Sequence, residues 1–320
     1  MSFYSASELK DLYYRNLRSH LKVIELERIK IFRVGAFMVL TGIITFLLIQ
    51  FESNFPTNGL LFVTLPIFGI SLIYSFFLYS KFRKQYKHKI VKEVMTLVDS
   101  TWNYAYDGRV PDSCFLNSKI FDRSDVDRVN GDDYIYGAWK GVPFQLSELH
   151  LEKETRDSKG RRSYSTIFHG LFCEIRFNKK IHGDTFIYPD QTEKFLGKFL
   201  GDFIQGLSTS RGQQVKLENP DFEKNFNCYS HDQVEARYII TPLLMEKILS
   251  LKEKLSCNLY FSFVGESVFV GLAFNRTLFE PRIFRSLHTF DALKELYLEL
   301  TSICMIIEEL KLNENLWGKK

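Results

Sequence analysis

Residues 34–49 read VGAFMVLTGIITFLLI and residues 59–80 read GLLFVTLPIFGISLIYSFFLYS, with no charged side chain in either run. A hydrocarbon core ~30 Å thick takes about 20 helical residues at ~1.5 Å each. The second run meets that length. The first meets it by extending through Ile31 and Phe32, with Arg33 reaching out to the headgroups. Only residues 50–58, QFESNFPTN, separate the two, too few to form a domain. This pair predicts a transmembrane helical hairpin with spans at about 31–50 and 59–80. A pair of buried core helices is the competing reading, but tandem runs of this kind rarely occur in a soluble core. A cleaved leader fits poorly, because a long charged stretch precedes the first run and no small-residue cleavage site follows it.

The flanks orient the hairpin. Lys10, Arg15, Arg18, Lys22, Arg28, Lys30 and Arg33 precede the first span; Lys81, Arg83, Lys84, Lys87, Lys89 and Lys92 follow the second; the connector carries Glu52 alone. An excess of Lys and Arg on one side places both termini in the cytoplasm. It also casts Arg33, Lys81, Arg83, Lys84, Lys87 and Lys89 as bases at the membrane surface, facing anionic headgroups. The formal net charge of +4 is therefore local in origin, and the chain beyond residue 92 is mildly acidic. A nucleic-acid partner, which would call for a basic face, is not expected.

On either side of the hairpin the periodicity is helical. Leu9, Tyr13, Leu17, Leu21 and Ile24 form one stripe, with Ser7 as the expected N-cap. Phe82, Tyr86, Ile90, Val94, Leu97 and Val98 form another. Both stripes emerge on the same side and predict an antiparallel stalk that prolongs the hairpin; a lipid-sensing surface helix is the alternative. Small residues in the spans (Thr41, Gly42, Thr45, Thr64, Gly69, Ser71, Ser75) suit close helix packing.

From about residue 111 the period changes. Residues 134–139 and 142–152 read as strands about a Lys140-Gly141 turn. After a polar tip at 156–163, residues 164–177 alternate, with Ile167, His169, Leu171, Cys173, Ile175 and Phe177 expected on one face. The tip holds Arg156, Lys159, Arg161 and Arg162, a candidate contact for lipid or an acidic partner. Residues 191–207 return to helical spacing on Phe195, Phe199 and Phe203. Ser230 with Gln233 forms a capping box. Thr241 then caps a helix with Pro242 in its first turn, carried by Leu244, Ile248 and Leu251 to about Leu255. Residues 258–264 and 268–274 form a hairpin about Gly265-Glu266, and residues 291–312 a last amphipathic helix. The fold class is α+β: a transmembrane helical hairpin with a cytoplasmic helical stalk, then a soluble domain of antiparallel strands and amphipathic helices. The expected domains are a cytoplasmic amphipathic helix (1–33), the hairpin (34–80), a basic juxtamembrane helix (81–110) and a cytoplasmic α+β domain (111–320).

Chemistry is sparsely signalled. The sequence has no P-loop, HExxH or GxSxG, and no GxGxxG placed after a strand. Five cysteines lie far apart without a CxxC pair, and the seven histidines are scattered. Neither a metal nor a cofactor is expected. The best case for catalysis is an acidic cluster, Glu218, Asp221, Glu223, Asp232 and Glu235, with Arg237 beside it. Paired carboxylates there could act as acid and base or hold a hard cation. The structural alternative assigns Asp232 to a helix start, where an acid suits the macrodipole.

The phrase at 222–248, FEKNFNCYSHDQVEARYIITPLLMEKI, together with the upstream hairpin and the strand Phe168-His-Gly-Leu-Phe172, resembles a bacterial family known as domain of unknown function 3137. The resemblance spans most of residues 90–290. It implies a bacterial source, hence the cytoplasmic membrane, and one contiguous soluble domain; it implies no activity and no catalytic residue. The functional expectation is a membrane-anchored interaction or regulatory module, non-catalytic, bound to anionic lipid and to a protein partner or to itself. The alternatives are a homo-oligomeric membrane assembly or pore-type effector, and an enzyme with a site near residues 218–237. The spans carry no charge to mark an ion path, which weakens the pore.

Overall fold

A computed structural model describes residues 6–51, 58–121, 123–156, 159–176, 180–190, 211–274 and 276–310. The chain forms two compact units: Met1–Val98 with Phe279–Glu299, and Asp99–Leu278 with Leu300–Lys320.

In the first unit, helix α1 (Ala6–Leu12) passes through a π-helical turn (Tyr13–Leu17) into α2 (Arg18–Phe51). Helix α3 (Asn58–Tyr86) runs unbroken through Pro66, then through a second π-helical turn (Lys87–Val91) into α4 (Lys92–Val98). Helix α1 already includes Ala6, so Ser7 lies inside the helix rather than at its cap. Both predicted stripes are buried, Leu9 to Ile24 on one strip and Phe82 to Val98 on the other, with Leu97 half-buried. The helices run antiparallel. Near the connector, a Cβ on Gly42 would stand 2.9 Å from the Phe68 ring. At the far end, His20 Nδ1 lies 2.8 Å from Glu93 Oε2. Four hydroxyls in the apolar stretches (Thr41, Thr45, Ser71, Ser75) bond within their own helices, Thr45 to the Thr41 carbonyl and Ser75 to that of Ser71, both at 2.8 Å. Such back-bonding lets a polar side chain sit in an apolar helix at little cost.

The second unit is built on a sheet of nine strands, all antiparallel, in the order β1-β2-β3-β4-β9-β8-β5-β7-β6. In chain order these are β1 (Asn103–Ala105), β2 (Arg128–Trp139), β3 (Val142–Arg156), β4 (Arg162–Arg176), β5 (Thr185–Pro189), β6 (Gln213–Gln214), β7 (Phe226–Ser230), β8 (Asn258–Val264) and β9 (Ser267–Ala273). Helix α5 (Asp112–Asn117) lies between β1 and β2 in sequence. Helices α6 (Pro220–Glu223), α7 (Gln233–Ile239) and α8 (Pro242–Leu255) flank β7. The last helix, α9 (Phe290–Glu309), gives its first part to the first unit and its final turns to the second.

The long hairpins are set by their turns. Lys140 and Gly141 both take positive φ, 49° and 82°, the twist that a tight hairpin between β2 and β3 needs. On β4 the expected face, Leu171, Cys173 and Ile175, is buried, and so is the other: Phe168 and Phe172 pack with Phe115, Phe121, Leu149 and Tyr260. The shared face is as expected, and the burial of the second face is an addition to it. The segment containing α5 covers the second face, and a strand covered on both sides is apolar at both parities. Gly170 lets β4 lie close to its neighbour β9, since a Cβ there would fall 1.9 Å from the Leu272 carbonyl oxygen. The buried stripes of α8 (Leu244, Ile248, Leu251) and of the end of α9 (Leu300, Ile303, Ile307) complete the interior.

Thr241 caps α8 as expected, accepting from the Leu244 N–H at 3.2 Å. Helix α7 differs. Its cap is Asp232, whose carboxylate accepts from the Val234 and Glu235 N–H groups at 2.9 Å. Ser230 is a buried residue of β7; its hydroxyl donates to the Asp184 carbonyl at 2.9 Å and accepts from the Asp232 N–H at 3.1 Å. The capping-box expectation fails because Ser230 belongs to the strand, two residues before the helix cap. The helix expected at 191–207 and the Phe177 position lie outside the described residues.

Candidate functional site

The basic flank divides on inspection. Arg33, Lys81, Lys84 and Lys89 are exposed, and Arg83 is half-buried. Lys87 is buried instead: its ammonium lies 2.8 Å from Glu280 Oε1, and its side chain is 2% exposed. Arg83 engages the same carboxylate, its Nε 2.7 Å from Oε1 and 2.8 Å from Oε2. One acid thus takes two cations, in the manner of a charge-assisted clamp. A second clamp sits on α2. Glu25 accepts from the Arg28 guanidinium at 2.7 Å, the Leu287 N–H at 3.0 Å and the Ser286 hydroxyl at 3.0 Å. Burial raises the Glu25 carboxyl, yet these donors outweigh it and hold the group below its ordinary pKa. Arg28 also donates to the Ile283 carbonyl at 2.5 Å. Segment 280–288 is therefore tied to α2 and α3 where the apolar stretches end.

The basic tip is partly neutralised. Arg156 Nε donates to Glu154 Oε1 at 2.9 Å, Arg162 Nε lies 3.5 Å from the same oxygen, and the Tyr164 hydroxyl donates to Oε2 at 3.0 Å. Arg156 and Tyr164 hold the Glu154 carboxyl below its ordinary value. Lys159 and Arg161 are exposed.

The five acidic residues take separate duties. Glu218 is exposed. Glu223 accepts from the Leu217 N–H at 2.9 Å, Asp221 pairs at the surface with Lys224 at 3.2 Å, and Asp232 caps α7. Glu235 accepts from the His182 N–H at 3.0 Å and from the Gly183 N–H. Asp232 and Glu235 come together against Gly183; the other three lie around α6. Four of these carboxylates have identified structural or surface partners, three of them holding backbone N–H groups.

Two polar clusters escaped the sequence reading. In one, Glu174 of β4 accepts from the Cys114 thiol at 3.1 Å, Gln145 Nε2 at 2.5 Å and the Ser267 hydroxyl at 2.8 Å, while the Tyr134 hydroxyl donates to Gln145 Oε1 at 2.8 Å. Burial, with Glu174 beside it, pushes the Cys114 thiol far up, so it is held as a thiol rather than as a nucleophilic thiolate. In the other, His169 Nε2 and Glu148 Oε1 lie 2.9 Å apart, and Glu148 Oε2 accepts from the Leu278 N–H at 2.9 Å. Burial pulls the His169 imidazole below its usual pKa while Asp132 acts the other way, so at neutral pH the ring is a neutral donor to Glu148. Glu148, an acid inside a strand's apolar run, was the available signal. An open cleft of about 500 Å³ is lined by Lys252, Ser256, Cys257, Asn258, Phe274 and Arg276. Lys252 at its edge already donates to Asn225 Oδ1 at 2.7 Å, and burial lowers its pKa.

Two long apolar helices followed by a nine-strand antiparallel sheet with helices define an α+β protein of the helical-hairpin kind. Residues 166–312 match the family described as "Protein of unknown function (DUF3137)", so the chain carries that domain. The match starts later and ends later than the resemblance read from the sequence. No curated protein matches the chain. Among solved structures, the crystal structure of the mycobacterial trehalose monomycolate transport factor A, TtfA, is similar at 9% identity and a TM-score of 0.33, over 69% of this chain and 96% of that one.

Proposed function

We propose that this protein is a membrane-anchored, non-catalytic module: a two-span hairpin with both termini in the cytoplasm, holding a sheet domain that engages a protein partner. One observation carries the anchor. The two helices are long and apolar enough to cross a membrane, and only 11% and 6% of their apolar windows are buried within the chain. Phe62, Phe76 and Ile73 are 82%, 75% and 71% exposed. Soluble monomers rarely leave contiguous apolar patches beyond a few hundred Å² in water, and lipid is the natural solvent for this one.

The absence of catalysis is supported by how the reactive groups are used. Asp232, Glu223 and Glu235 hold backbone N–H groups, and the Cys114, Cys173 and Cys228 thiols are pushed far up by burial. Purification from native membranes in mild detergent, with mass and composition read together, tests the reading. A stoichiometric second protein is the expected result. A homogeneous oligomer of this chain alone would overturn the partner and favour the self-assembling alternative.

A further inference from the structure

Phe284 is 90% exposed, more than any other large apolar side chain described, and it sits outside the apolar helices. It belongs to segment 279–299, which packs in the same compact unit as the hairpin. Its position along the hairpin is fixed by four side chains. On α2, Arg28 holds the Ile283 carbonyl at 2.5 Å, and Glu25 holds the Leu287 N–H at 3.0 Å. On the other helix, Arg83 and Lys87 hold Glu280 at 2.5 Å and 2.8 Å.

At ~1.5 Å per helical residue, Arg28 stands about 4–9 Å short of the point where the first apolar stretch begins, at Ile31 or Val34, and Arg83 about 4–5 Å beyond the end of the second. A bilayer of ~40–45 Å with a ~30 Å core carries a headgroup layer of about 5–7 Å on each side. The inner contacts, Arg28 with Ile283 and Arg83 with Glu280, therefore lie at about headgroup depth, with Glu25 and Lys87 just outside it, and Phe284 follows Ile283 directly. We infer that Phe284 and its loop enter the lipid interface beside the hairpin, a third and peripheral contact with the membrane.

The flanking charges fit that site. Arg282 and Arg285 both pair with Glu295 at 3.0 Å, leaving this trio with one net positive charge. Arg33 and Lys81 stand exposed at the same level. An aromatic ring among cations is the pattern of an interfacial anchor facing anionic headgroups. The inference rests on the anchor reading above, and the test separates the two.

Full-length Phe284→Cys, Leu40→Cys and Lys10→Cys variants carry an environment-sensitive fluorophore in phosphatidylcholine–phosphatidylglycerol vesicles, with the unsubstituted protein as blank. Part of the lipid bears a nitroxide near the headgroup. The expected result is a blue shift and loss of intensity at positions 284 and 40, and neither at position 10. If position 40 responds while position 284 stays open to aqueous iodide like position 10, the loop inference is overturned and the anchor stands. No response at position 40 overturns both.

Discussion

Lys87 Nζ lies 2.8 Å from Glu280 Oε1, and the lysine side chain is 2% exposed. The pair joins the end of α3 to segment 279–299, so a polar contact distant in sequence sets where the last part of the chain meets the helices. Removing one partner from such a buried pair costs about 3–5 kcal/mol, whereas an apolar pair of similar volume is often neutral or better. Glu280→Leu should thus lower the unfolding midpoint in detergent sharply and raise hydrogen exchange over 279–299. The double variant Lys87→Met/Glu280→Leu should recover most of the loss. A single-variant cost in the range of a surface pair, about 0–1 kcal/mol, would contradict the burial.

The Glu25 clamp should be pH-dependent. Its folded pKa is held below the ordinary 4.5, so its contribution is fully present above that value. It is lost as pH falls through the folded pKa, where the unfolded chain binds the extra proton. The midpoint gap between wild type and Glu25→Gln should shrink as the pH drops below 4.5. A gap that widens on acidification would show that the clamp works by another route.

Gly170 has no room for a side chain, with the Leu272 carbonyl oxygen 1.9 Å from where a Cβ would be. Overpacking costs about 1–3 kcal/mol, occasionally more, and here the obstacle is backbone. Gly170→Ala should fall at or above the top of that range, by thermal unfolding. At Gly271 the nearest atom is 3.2 Å away on the Phe168 ring, a side chain able to yield, so Gly271→Ala should cost less.

Asp232 tests the acidic cluster. As a cap, it should lose about 1 kcal/mol on change to Ala and little on change to Asn, which caps as well. Were it an acid or base in a reaction, Asp232→Asn would abolish function at unchanged stability. Midpoints and cellular phenotype of the two variants, read side by side, separate these roles.

What could be read from the sequence was local. The apolar runs, the stripes at Leu9–Ile24 and Phe82–Val98, and the Thr241-Pro242 start of α8 each depend on neighbours within a few turns. The failures were contacts between distant residues. Lys87 looked like one more surface base because Glu280 lies far along the chain. Period-two alternation on β4 defines one shared face, and nothing near it in sequence announces that α5 and Phe121 cover the other. Ser230 reads as a cap in the sequence, but strand β7 and helix α7 compete for it, and the strand's pairing with β5 wins. The Glu174 and Glu148 clusters were invisible for the same reason: each gathers residues from several strands or loops.

An anchored hairpin puts its connector across the membrane from both of its ends, and sidedness reports that arrangement. Single cysteines at Gly59, Lys10 and Lys89, all exposed positions, are probed with a membrane-impermeant maleimide in sealed vesicles of known orientation. Labelling of Gly59→Cys is expected from one side only, and of Lys10→Cys and Lys89→Cys from the opposite side only. Labelling of all three from the same side, or release of the protein by alkaline carbonate, would contradict it.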